Sequence, residues 1–128
     1  MTKFLLVTDL DNTLVGDDQA LAELNQHLSQ HRQVHGTKIV YATGRSLTSY
    51  QQLLAQQPLL TPDALVTSVG TEIYYNGSPT PDPTWSDCLA PQWNRDQIVA
   101  TATTFADLVP QPSSEQRPFK VSYFLHET

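Results

Sequence analysis

The chain has 128 residues, enough for one modest domain with a core of limited size. Its net charge is −6 and its pI is near 4.9, without a basic cluster, which argues against nucleic acid or an anionic membrane as partner. The single cysteine, Cys88, cannot form an internal disulfide and suits a reducing cytoplasm, and no stretch has the length of a signal peptide or a bilayer span.

The first predicted element is a strand. Phe4-Leu-Leu-Val is an unbroken apolar run that stops at the polar cluster Thr8-Asp-Leu-Asp-Asn-Thr13. A run without alternation suits a strand buried on both faces of a parallel sheet. Asp9 and Asp11 fall where that strand ends, the end at which open α/β sheets bind ligands. Residues two apart on extended backbone point the same way, so both carboxylates can face one site. Asp17 or Asp18 can cap a helix carrying Leu21, Leu24 and Leu28 on one stripe and running to about Ser29. His27, His31 and His35 lie four apart but off that stripe, so a solvated face is expected rather than a metal site.

Lys38-Ile-Val-Tyr-Ala reads as a second buried strand, stopping at Thr43-Gly44-Arg45. A helix follows from near Ser46, with Leu47, Tyr50 and Leu54 facing inward. Pro58 and Pro62 close it. Ala64-Leu-Val-Thr-Ser-Val is a third strand ending at Gly70. Strand, helix, strand, helix, strand implies parallel strands with right-handed crossovers, a half-Rossmann α/β layout. Thr71-Glu-Ile-Tyr-Tyr then reads as a strand entering a tight turn at Asn76-Gly77. Residues 79–93 are a Pro-rich linker. Beyond it Asn94 and Gln97 form a helix-start signature, with Trp93 placed to pack on Ile98. The apolar face continues through Ala102, Phe105 and Val109. Phe119 to Leu125 is a last strand with no evident neighbour.

The ends of the first two strands carry the chemistry. A carboxylate can attack phosphorus to give an aspartyl-phosphate, and a second carboxylate can protonate the leaving oxygen and then activate water. The Thr43 hydroxyl and backbone N–H groups near Gly44 can hold phosphoryl oxygens. A hard divalent cation, Mg²⁺, would relieve the repulsion between the carboxylates. Arg45 reads as a surface or capping charge.

Asp9-Leu-Asp-Asn-Thr and Tyr41-Ala-Thr-Gly-Arg resemble the first two motifs of the haloacid dehalogenase superfamily of phosphohydrolases. Ser68-Val-Gly-Thr-Glu-Ile-Tyr and Lys120-Val-Ser-Tyr make the whole chain similar to the sucrose-phosphatases of cyanobacteria and plants. The resemblance implies a Mg²⁺-dependent phosphatase acting on sucrose 6-phosphate. It makes Asp9 the nucleophile and a metal ligand. Asp11 becomes general acid/base and ligates metal through its backbone carbonyl, while Thr43 and Gly44 bind the phosphoryl group. Glu72 lies where it can reach sugar hydroxyls, an exposed hairpin charge being the alternative.

The resemblance also implies a division into residues 1–78, the N-terminal part of the core, and 94–128, the start of an α+β sugar-binding cap. The family's stabilising lysine and its second acidic segment have no counterpart here. The chain is therefore expected to be a truncated product or one half of a split enzyme, weak or inactive alone. It should pair with a C-terminal half or with itself. Alternatives are a phosphatase for another sugar phosphate, of the mannosyl-phosphoglycerate type, and a non-catalytic binding or regulatory remnant. A signalling receiver domain is disfavoured because the third strand ends without an aspartate.

Overall fold

The computed structural model describes residues 3–126. Leu5–Thr8 forms β1, Lys38–Ala42 β2, Ala64–Thr67 β3 and Glu72–Tyr75 β4, one sheet in the order β1-β2-β3-β4. The first three strands are parallel and β4 is antiparallel to β3. The expected parallel start and hairpin are both present. The turn that joins β3 to β4 is Ser68–Thr71, whereas Asn76-Gly77 turns the chain out of β4, both residues at positive φ.

Helix α1 spans Asp18–His35 and α2 spans Leu47–Gln56. The Asp17 side chain accepts from Ala20 N–H, and Gly36 closes α1 in the left-handed region at φ 67°, which glycine adopts without steric cost. The helix outruns its leucine stripe by about two turns. Side-chain anchors hold that extension: Arg32 donates to Thr61 O and to Asp63, His31 bonds Thr37, and Phe4 packs edge-on against His31 at 4.8 Å. In α2 the buried positions are Tyr50 and Leu53, and Leu54 is exposed.

Both helices pack on one sheet face. Leu21, Tyr50 and Leu53 meet Ile39, Tyr41, Leu65 and Tyr74, joined by Leu10 and Leu14 from the loop after β1. Burying each of these large side chains contributes about 1.5–3 kcal/mol. The alternating residues face the other way, and there the expectation of a strand buried on both sides fails. Leu5 and Val7 are 66% and 56% exposed. β1 is the sheet edge, and no helix of the described residues covers its second face.

The Pro-rich stretch holds a helix, α3, at Pro83–Leu89. Asp82 caps it, and Pro83 stands at the first helical turn, where its fixed φ favours the helix and no N–H is needed. Next comes α4, Arg95–Thr103, capped by Asn94 as the sequence suggests. Trp93 packs against Phe119, and α4 ends well before Val109. Val109 lies in β5, Leu108–Pro110, which pairs antiparallel with β6, Tyr123–Leu125. The last strand thus starts at Tyr123 rather than Phe119, and it has a neighbour. Arg117 and Lys120 close a tight backbone turn around Pro118-Phe119, and the Gln116 amide clamps Ser122 through both its N–H and C=O. No described helix is long and apolar enough to cross a membrane.

Candidate active site

The register of β1 on β2 pairs Thr8 with Tyr41, so the strands run out side by side into Asp9-Leu-Asp11 and Thr43-Gly-Arg45. After Asp9 the chain turns sharply. Leu10 O accepts from the N–H groups of Thr13, Leu14 and Val15, and Asn12 takes φ 60°, a conformation asparagine tolerates. Leu10 is wholly buried between two aspartates that are not. The Asp9 carboxylate is exposed and accepts one long bond, 3.3 Å, from Thr13 Oγ1.

Asp11 is held. Arg45 Nε and Nη2 donate to its two oxygens at 2.9 and 2.8 Å, a fork geometry suited to a carboxylate. The third guanidinium nitrogen donates to Ser49 O and Oγ. These bonds hold the Asp11 carboxyl below its usual pKa and raise that of Arg45. Arg45 therefore pairs with Asp11 in the candidate site rather than standing alone at the surface, and it belongs to the Tyr41-Ala-Thr-Gly-Arg stretch that carries the resemblance. Thr43 is buried, and its Oγ1 accepts from Arg45 N–H, which leaves the O–H to donate. Gly44 is exposed at the mouth.

A cleft of about 460 Å³ opens at these strand ends. The core lines it with Asp11, Gly44, Arg45, Ser49 and Val69. The segment after α4 adds Gln111, Glu115, Lys120, Ser122 and Tyr123. Ser46 Oγ donates to Glu115 Oε1 at 3.0 Å, and Lys120 Nζ reaches Glu115 from the other side. Of the second set, Lys120, Ser122 and Tyr123 belong to the Lys120-Val-Ser-Tyr stretch on which the resemblance rests, whereas Gln111 and Glu115 come from short, irregular backbone whose course periodicity cannot foretell.

Glu72 does not line this cleft. It is buried, 4% exposed, and its oxygens accept from Arg117 Nε at 2.6 Å, Arg117 Nη2 at 3.1 Å and Tyr74 OH. The expectation of an exposed hairpin charge is corrected by this pairing. Burial pushes the Glu72 carboxyl up, but the bonds from Arg117 and Tyr74 outweigh it and the net shift is downward. Burial, with Glu72 as acceptor, pushes Tyr74 up to about 12.

A parallel sheet with a carboxylate pair at the end of its first strand, facing a Thr-Gly-Arg loop at the end of its second, defines a haloacid dehalogenase-like fold. The haloacid dehalogenase-like hydrolase protein yhjK of Bacillus subtilis shares this fold, with a TM-score of 0.61 at 18% identity, over 83% of this chain and 54% of that one. The chain belongs to the sucrose-6F-phosphate phosphohydrolase family, whose model it matches over residues 2–128. The sucrose-phosphatase of Synechocystis sp. PCC6803, solved with sucrose and phosphate, superposes with a TM-score of 0.89 at 44% identity, covering 98% of this chain and 50% of that one. Probable sucrose-phosphatase 3a of Arabidopsis thaliana is 43% identical across 96% of this chain and 30% of its own length. Sucrose-phosphatase 1 of Nicotiana tabacum is 37% identical across 98% of this chain and 30% of its own. The chain thus spans less than a third of the length of these curated relatives.

Proposed function

We propose that this chain carries the nucleophile-bearing half of a Mg²⁺-dependent phosphatase for sucrose 6-phosphate. The observation that carries the reading is the direct bond between the two strand-end motifs, Asp11 to Arg45, at the floor of a polar cleft. Membership of the family and the sucrose and phosphate bound to the Synechocystis relative support the substrate.

Asp9, exposed and loosely bonded, attacks phosphorus as the P–O bond to the sugar breaks. Once released from Arg45 and protonated from solvent, Asp11 gives that proton to the leaving oxygen, then takes one from the water that cleaves the aspartyl-phosphate. Arg45 occupies both Asp11 oxygens in this structure, so the entering substrate must part that pair. Thr43 O–H and the backbone at Gly44 hold phosphoryl oxygens. The Asp9 carboxylate and the Asp11 main-chain carbonyl are hard oxygen donors that fit Mg²⁺. A bound Mg²⁺ would offset repulsion between carboxylate and phosphate. They form only part of a shell, since the described residues hold no cluster of three metal-binding side chains. Glu72 enters this reading as an anchor of the segment after α4 rather than as a sugar ligand.

The isolated chain should therefore bind Mg²⁺ weakly and turn over far below an ordinary rate of about ten per second. Its open sheet face and β1 edge are surfaces for a complementary half or a second copy. A reducing cytoplasm suits the unpaired, exposed Cys88.

Acid quenching after reaction with phosphate-labelled sucrose 6-phosphate tests the mechanism. Label should attach to the parent chain, persist longer in Asp11→Asn and be absent from Asp9→Asn. Labelling of Asp9→Asn at the parental level, in protein checked for deamidation, would refute the assignment.

A further inference from the structure

Ser68, Val69 and Gly70 follow β3 with φ values of 53°, 59° and 86°. Val69, at φ 59° and ψ 37°, lies in the left-handed region, which disfavours a β-branched residue roughly five- to thirty-fold. Core packing does not offset this, because Val69 is 70% exposed. Polar bonds hold the turn instead. Ser68 N–H donates to Arg45 O at 2.8 Å, Thr71 Oγ1 to Ser68 O at 2.8 Å, and Trp85 Nε1 to Gly70 O at 2.8 Å. The turn is thus fastened to the Thr-Gly-Arg loop on one side and to α3 on the other. The exposed isopropyl group lines the cleft that holds Asp11 and Arg45, and its Cγ2 stands 4.0 Å from where a side chain on Gly44 would begin. Backbone strain that the fold does not use is a pointer to function.

We infer that Val69 is a specificity-determining residue: the turn presents its side chain as an apolar contact for the carbon face of a sugar whose phosphate lies over Gly44. This rests on the sugar-phosphate reading above. Sugar rings offer C–H faces as well as hydroxyls, and sites of this kind combine apolar walls with a few placed polar groups. Gln111, Glu115, Lys120 and Ser122 supply the polar groups in the same cleft. The methyls of Val69 stand next to the phosphate loop, where they can tell a sugar phosphate from bare phosphate.

The test uses the 128-residue chain with Mg²⁺. Denaturant unfolding and NMR titrations with sucrose 6-phosphate and with inorganic phosphate are compared for the parent, Val69→Gly and Val69→Asn. Glycine and asparagine both accept left-handed backbone. Both variants should resist unfolding as well as the parent or better, and should bind sucrose 6-phosphate about tenfold more weakly. Their inorganic phosphate affinity should stay within about twofold of the parent. Destabilisation in both variants would show that the valine serves the fold and would overturn the inference. So would parental affinity for the sugar phosphate. A parent chain that binds inorganic phosphate as tightly as sucrose 6-phosphate would instead overturn the sugar-phosphate reading itself.

Discussion

Residues 3–78 and 79–126 are held together by different forces. The first region buries nine apolar side chains, Leu10 through Tyr74, in one cluster between a sheet face and two helices. The second has no buried apolar side chain among its described residues; Ser122 is its one buried residue. Ile98, Val99, Phe105, Val109, Phe124 and Leu125 all stay substantially exposed. What orders the second region is polar: the Gln116 clamp on Ser122, Arg95 donating to the Arg117 and Lys120 carbonyls, and the Glu72–Arg117 pair. Net hydrogen bonds contribute only about 1 kcal/mol each, and less where water competes. The second region therefore leans on the first, through Ser46–Glu115, Trp85–Gly70 and Glu72–Arg117.

The contrast can be broken by substitution. The largest effect should come from Ile39→Ala. Ile39 is fully buried, and truncation should cost about 2–5 kcal/mol, unfolding both regions together in a denaturant titration. A variant that lost only the second region would show the dependence to be misassigned.

Glu72→Gln should come next. It leaves Arg117 without its charged partner, at a cost of roughly 2 kcal/mol. That is less than for a fully buried pair, because the guanidinium remains about a third exposed. Acid should mimic it. The folded Glu72 titrates below its usual 4.5, so its stabilisation is complete above that pH and is lost as the pH falls through the depressed value. Trp93, which packs on Phe119 two residues from Arg117, reports the release by fluorescence. The acid transition of that signal should vanish in Glu72→Gln.

Asn94→Ala removes the bond that the Asn94 side chain accepts from Gln97 N–H and should cost about 1 kcal/mol, confined to α4 and visible as faster amide exchange there. Ile98→Ser should change stability least, by about 0.5 kcal/mol or less, since the side chain is already 38% exposed. The same kind of change at Ile39 would be severe, and the ratio of the two measures the difference between the regions directly.

Much of the first region was readable from the chain alone. Each of its strands and helices follows from apolar runs, spacing and caps, and the meeting of the two motifs follows from parallel neighbours. The errors have common causes. Residues 79–93 read as linker because proline breaks helices in the interior, yet Pro83 starts one. The Phe119–Leu125 run looks like one strand, but Arg117 and Lys120 bond each other and fold its first half into a turn.

The sequence by itself determined the αβ order, the Asp9/Asp11 pair and its Thr43-Gly44 neighbour, because apolar periodicity and strand-end polarity are local properties. Only the tertiary structure decided which charges find partners. Arg45 lies 34 residues from Asp11, and Arg117 lies 45 from Glu72. The open second face of β1 was equally out of reach. An apolar run shows that a strand can be covered on both sides, but whether anything covers it depends on where the rest of the chain packs.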